Sequence, residues 1–254
     1  MKTKLLLLFT CAILFGQLQA QTQFFAGVNG GYVAKAIINQ NNYGQSEMDY
    51  LQGYSPIYGL TLGLDLSNQH VIRLEPQLLS IGQPYDDQIA GATLNKEVKL
   101  DYIHIPLTYT YVVNGGKKGE NQGFNFFITL GVYAGILNDA SMDLSINNQT
   151  ASFLEFSTFG GGNPNTAALS TLLQGTLTPA DYKELYNSVD FGGNFGFGVQ
   201  GFLTEKLKLS VELRTGVSLG DINAEAWRLN NKDGNYGASR NLYGGLLLGL
   251  SYYF

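Results

Sequence analysis

The sequence predicts an all-β chain folded as a transmembrane, antiparallel, up-and-down β-barrel of eight strands. Three observations carry that prediction. Apolar residues alternate with small or polar ones at a period of two, segment after segment. Only 14% of the residues are charged against 44% hydrophobic, far below the roughly 25% charged of ordinary soluble domains. The connections between the alternating segments are long and short by turns, as in outer-membrane barrels with short periplasmic turns and long extracellular loops.

Residues 1–20 read as a signal peptide ahead of a barrel domain over 21–254. Met1-Lys2-Thr3-Lys4 is a basic start, Leu5 to Phe15 is a nearly unbroken apolar run, and cleavage is expected between Ala20 and Gln21. The run is too short and wrongly flanked to span a bilayer as a helix. Its removal takes away Lys2, Lys4 and Cys11, leaving 13 basic residues against 20 acidic ones and no cysteine. Without disulfides, an exported chain must be stabilised by a closed hydrogen-bonded fold.

The first segment, 24–34, alternates weakly; 57–66 follows with Gly59 and Gly63 on its polar side. In 71–80, Ile72, Leu74 and Leu78 oppose Arg73, Glu75 and Gln77. In 101–112, Ile103, Ile105, Leu107, Tyr109 and Tyr111 oppose His104, Pro106, Thr108 and Thr110. Segments 124–136 and 189–203 place Gly131, Gly135, Gly192, Gly196 and Gly198 on the non-apolar side. In 207–219, Leu207 to Leu219 alternate with Lys208, Ser210, Glu212 and Arg214, and 246–254 closes the set. A non-apolar face of Gly, Ser, Thr and Asn suits a crowded lumen better than open solvent. Tyr58, Tyr109, Tyr111, Tyr252 and Phe254 suit interfacial aromatic girdles.

The intervening loops are 39–55 (long), 67–70 (short), 83–98 (long), 114–122 (short to medium), 137–188 (very long), 204–206 (short) and 220–240 (long). An even strand number places both termini in the periplasm. Within 137–188, Asn147-Asn148-Gln149 reads as a hairpin turn between 142–146 and 150–156. Ala167 to Gln174 reads as a helix, and Thr178-Pro179-Ala180-Asp181 starts a second short one reaching Tyr186. Were the hairpin to enter the membrane, the barrel would have ten strands. Loops of this length usually bind or cover something, so this one is read as a folded extracellular cap or a surface that docks an envelope partner.

Several function classes fall away. No Lys/Arg cluster exceeds Lys117-Lys118 and the net charge is -5, which disfavours nucleic acid as a partner. A single Cys and two His are too few for zinc sites of the Cys/His kind, and no cofactor is implied. Barrel enzymes generally set a His beside an acid or nucleophile, and neither His70 nor His104 has one at recognisable spacing; a non-catalytic protein is expected.

The blocks LDYIHIPLTYTY (100–111), VDFGGNFGFGV (189–199), VELRTGVSLGDIN (211–223) and LLLGLSYYF (246–254) resemble the PorT-like outer-membrane β-barrel family of Bacteroidota-type bacteria. The resemblance covers essentially the whole mature chain and implies the outer membrane as location, with its lipid as surroundings. It implies a secretion or gliding accessory role for part of that family. Leu250, Tyr252 and Phe254 resemble the sorting signal read by the barrel-assembly machinery.

Eight strands enclose a lumen that side chains fill, so no open pore is expected. The candidate site is a network of lumen charges, Asp65, Arg73, Glu75, His104, Asp190, Lys208, Glu212 and Arg214, bracing the barrel from inside. A narrow ion pathway would use the same residue types, and a lipid-active enzyme is the remaining alternative.

Overall fold

The computed structural model describes residues 22–38, 49–67, 69–89, 91–113, 123–152, 155, 179–225, 228 and 235–254. The Ala20–Gln21 cleavage site and the helix expected over 167–174 lie outside the described residues. Among the described residues the strands are β1 (Gln23–Ile38), β2 (Asp49–Tyr50), β3 (Gly53–Asp65), β4 (His70–Leu74), β5 (Gln77–Ile89) and β6 (Ala92–Val112). They continue with β7 (Asn125–Ile146), β8 (Gln149–Thr150), β9 (Val189–Phe202), β10 (Leu207–Ser218) and β11 (Arg240–Tyr253). One 3-10 turn, Pro179–Leu185, stands where the short helix to Tyr186 is predicted.

All pairings are antiparallel and the sheet closes on itself: β1 lies between β11 and β3, and β6 joins β7 to complete the ring. Its staves are β1, β3, β4 continued by β5, β6, β7, β9, β10 and β11, which makes eight. β4 and β5 are one stave, because both pair β3 and β6 in unbroken register. They part only at Pro76, which has no N–H to give the ladder but still accepts from Leu60 N at 2.9 Å. The ten-strand alternative fails, since β8 is two residues long and pairs with β7 alone. Its turn is the predicted one: Asn147 and Asn148 take φ of 52° and 63°, as a two-residue hairpin loop requires.

Two predicted loops are corrected. Residues 83–89 and 92–98 are strand: β5 runs on to Ile89, which pairs with Ala92, and Gly91 before Ala92 has φ 81°. The first part of 137–188 is strand as well, since β7 continues to Ile146. β6 and β7, at 21 and 22 residues, are about twice the 9–11 residues a bilayer crossing needs.

The polarity of β6 shows where the excess goes. From Val112 down to His104 its inward positions are mostly polar (Thr110, Thr108, His104), while Tyr111, Tyr109, Leu107 and Ile103 point outward and are exposed. From Leu100 to Ala92 the pattern inverts: Leu100, Val98, Leu94 and Ala92 are buried inside, and Asp101, Lys99, Glu97 and Asn95 face out. A strand is apolar outside where it meets lipid and apolar inside where it meets water. The inversion near residue 101 therefore marks the membrane boundary. β7 inverts at the same height, and there a bulge leaves Asn138 unpaired between Leu137, opposite Tyr102, and Asp139, opposite Asp101. The Lys183 ammonium donates to the Asn138 carbonyl at 3.0 Å.

β5, β6 and β7 thus form a projection beyond the barrel rim, at the end opposite the termini. β3 has left β5 above Ile57, and β9 has left β7 above Ile136. Ile81, Tyr85, Leu94, Val98, Leu100, Met142 and Leu144 line the projection's inner face, covered by Tyr182, Leu185 and Tyr186. At the termini's end Tyr109, Tyr111, Tyr252 and Phe254 are exposed as expected of a girdle, with the Tyr109 hydroxyl and His70 Nδ1 sharing a hydrogen bond of 2.5 Å. Tyr58 is a correction, for it faces lipid from mid-strand opposite Gly30 and Leu78. The upper aromatic pair is instead Tyr32 stacked on Tyr54, centroids 5.9 Å apart.

Candidate functional site

The lumen is filled in three tiers. All eight predicted charges point into it and are buried, but only four form one ion-pair network. Arg73 and Glu75 are two residues apart on one stave, and Glu212 and Arg214 are two apart on β10, so a period of two turns each couple inward. Alternating antiparallel neighbours make β4 and β10 run in the same direction on different sides of the lumen. The charge order is reversed between them, so opposite signs meet at each height. Arg73 Nη2 lies 3.0 Å from Glu212 Oε2, and Arg214 Nη2 lies 2.9 Å from Glu75 Oε2. Contacts along each stave join the rungs: Arg214 Nε to Glu212 Oε1 at 2.8 Å and Arg73 Nη1 to Glu75 Oε1 at 3.7 Å. Arg73 Nη2 also donates to Thr129 Oγ1 at 3.0 Å, which shares a 3.1 Å hydrogen bond with Thr110 Oγ1.

Nearer the termini, Lys208 Nζ donates to Tyr253 OH at 2.5 Å, and that hydroxyl reaches Asp65 Oδ2 at 3.4 Å. Lys208 also lies over the Phe25 ring, 4.7 Å from its centroid. Between this floor and the quartet lies a lumen cavity of about 20 Å³, room for little more than one water.

The third tier, toward the projection, is held by uncharged partners. Asp190 Oδ2 accepts from Ser218 Oγ at 2.6 Å and Asn241 Nδ2 at 3.0 Å. His104 joins no ion pair: its ring packs on Tyr133 at 4.3 Å and on the edge of Tyr243 at 5.4 Å, and neither ring nitrogen has a hydrogen-bond partner among the described residues. The network expected to hold all eight charges is therefore three separate clusters plus a stacked histidine. Sequence reading missed Thr129, Tyr133 and Asn241, which bond into these clusters, and Asn29, which donates to Thr61 Oγ1 at 2.8 Å and accepts from Gln77 Nε2 at 2.9 Å. Thr129 and Tyr133 carried a usable signal, since they share the inward phase of Gly131 and Gly135.

Glycine makes room for the lumen rings. A Cβ on Gly192 would lie 2.2 Å from Tyr133 Cζ, and one on Gly216 would lie 2.4 Å from Tyr243 Cε1. Gly192→Val is expected to destabilise the barrel by about 1–3 kcal/mol through overpacking. In a Tyr133→Ala background the same substitution should cost less than it does in wild type, read in a double-mutant cycle from the midpoints of urea unfolding in lipid vesicles.

A lid closes the mouth above. Ala224 N donates to Leu185 O at 3.0 Å and Asn187 N to Ile222 O at 2.8 Å, tying the 3-10 turn to the β10–β11 connection. Asp221 holds that connection in shape, accepting from Ser239 N at 3.0 Å and pairing with Arg228 Nε at 2.9 Å. Tyr186 and Ile222 are buried beneath it. Among the described residues no group of His, Cys, Asp and Glu is arranged to hold a metal ion.

A model of the family described as "Outer membrane protein beta-barrel domain" matches residues 17–224. No curated protein matches the chain. Among solved structures, the chain is similar to Neisserial surface protein A at 9% identity and a TM-score of 0.40, covering 92% of this chain and 99% of that one. It is similar to the outer membrane protein OprG from Pseudomonas aeruginosa at 13% identity and a TM-score of 0.38, covering 91% and 96%. It is also similar to the outer membrane protease OmpT from Escherichia coli at 10% identity and a TM-score of 0.40, covering 91% and 97%.

Proposed function

Because the chain belongs to the outer membrane protein beta-barrel domain family, we propose that it is a closed, non-catalytic barrel that acts through its extracellular head by docking an envelope partner. The carrying observation is the lumen: a cross-braced Arg/Glu quartet sits over a cavity of only about 20 Å³. A chain whose lumen is filled by buried ion pairs has its accessible chemistry on the outside. The projection of β5, β6 and β7 suits that use, with an apolar inner face and a polar outer face. His104 lies against tyrosine rings, and neither of its nitrogens has a partner among the described residues, which supports the non-catalytic reading over a lipid-active enzyme. The blocks that resemble the PorT-like family suggest a secretion or gliding assembly as the machine served.

Two measurements test this. Reconstituted in planar bilayers, the protein is expected to show no single-channel steps above background; steady ohmic conductance would replace docking with the narrow-channel reading. Purified gently from outer membranes by a periplasmic tag, it is expected to bring down one stoichiometric partner. Deleting residues 141–186, with heat-modifiability confirming the barrel, should abolish that association. Recovery of the intact barrel alone would sink the docking role.

A further inference from the structure

We propose that the concave side of the projection is a binding pocket for an amphipathic carboxylate, a hydrocarbon or aromatic body bearing one anionic head, with Lys96 holding the head. The inference is independent of the docking role.

The pocket encloses about 790 Å³, within the roughly 300–1,000 Å³ typical of small-molecule sites. Its lining is mixed: Tyr85 of β5, Met142 and Leu144 of β7, and Tyr182 give it apolar walls, while Lys96, Glu97 and Asp143 are its charged residues. The wall side chains are buried and apolar, and Met142 can adapt to the shape of what enters. Such a surface suits a body that water expels.

Lys96 supplies the charge. It is an inward residue of β6, paired on both sides, opposite Tyr85 and Leu144, so its backbone is fixed. Only 5% of it is exposed, and its ammonium lies 5.4 Å from the centroid of the Tyr85 ring. No carboxylate among the described residues pairs with it. The two acids of the lining are engaged by other cations: Lys99 Nζ reaches Asp143 at 3.1 Å and Glu97 at 3.5 Å, and Lys35 reaches Glu97 at 3.8 Å. Deeper in the barrel, Arg73 and Arg214 each face two carboxylates, so Lys96 is handled differently from those buried cations. Loss of hydration lowers its pKa to about 8, which leaves it cationic at neutral pH. A desolvated ammonium over an aromatic face, beside the apolar walls of a pocket whose two acids are already paired, is complementary to a carboxylate carried on an apolar body.

The test uses the full-length barrel in lipid nanodiscs and equilibrium dialysis with octanoate, octanol and octylammonium, with empty nanodiscs as background. Saturable one-to-one binding of octanoate is expected, with octanol weaker and octylammonium weakest. Lys96→Met keeps the stem and removes the charge, and should weaken octanoate roughly tenfold while leaving octanol unchanged. Lys96→Arg should retain octanoate, and heat-modifiability should match wild type in both variants. Equal binding of all three probes, absence of saturable octanoate binding, or wild-type octanoate binding by Lys96→Met would each overturn the proposal.

Discussion

Arg214→Met is expected to destabilise the barrel by about 3–5 kcal/mol, because it leaves Glu75 and Glu212 buried with Arg73 as their only shared cation. The loss comes less from missing attraction than from a carboxylate charge stranded away from water. Urea unfolding in lipid vesicles reads it as a lowered midpoint, and unboiled gels read it as lost heat-modifiability. The same argument predicts a rescue. Glu212→Gln with Arg214→Met removes one charge of each sign and leaves the Arg73–Glu75 pair, so the double variant should be more stable than Arg214→Met alone. The coupling expected from side chains 2.8 Å apart is on the order of 1–3 kcal/mol. Additive losses would mean that the quartet is not an energetic unit.

Leu94→Asp separates the head from the barrel. Leu94 is 1% exposed within the apolar interior of the projection, and an aspartate there loses its packing and buries an unpaired carboxylate. A local cost of at least about 4 kcal/mol follows from those two effects together. The projection lies beyond the last β3–β5 and β7–β9 pairs, so it can open while the barrel stays closed. Externally added trypsin should then cleave after Lys96 and Lys99 at least about a hundredfold faster than in wild type, with heat-modifiability unchanged. Simultaneous loss of both properties would show that head and barrel unfold as one body.

The barrel was legible because lipid imposes a strict rule. Each membrane-spanning stretch must be apolar outside, and a strand's period of two writes that rule into neighbouring residues, as Leu107, Tyr109 and Tyr111 do against Thr108 and Thr110. The projection was hidden for two local reasons. Above residue 101 the two faces of β6 exchange polarity, so Asn95, Lys96 and Glu97 look like loop residues although they stay in phase with the strand below. On β7 the extra residue Asn138 shifts the alternation from odd to even inward positions, and the pattern seems to end there. Pro76 similarly broke one stave in name without breaking its register.

The quartet lies between these cases. Arg73, Glu75, Glu212 and Arg214 could be placed in the lumen by phase alone, because phase is a property of one strand. Their partners could not, nor could the isolation of His104, because pairing across the lumen depends on strand direction and relative height. Those are set only when β11 joins β1 and β6 joins β7. Local alternation thus determined the barrel, its strand number and its lumen-facing charges. Closure of the sheet decided which charges meet, where the strands leave the membrane, and that Lys96 stands without a carboxylate partner among the described residues beside the apolar walls of a pocket.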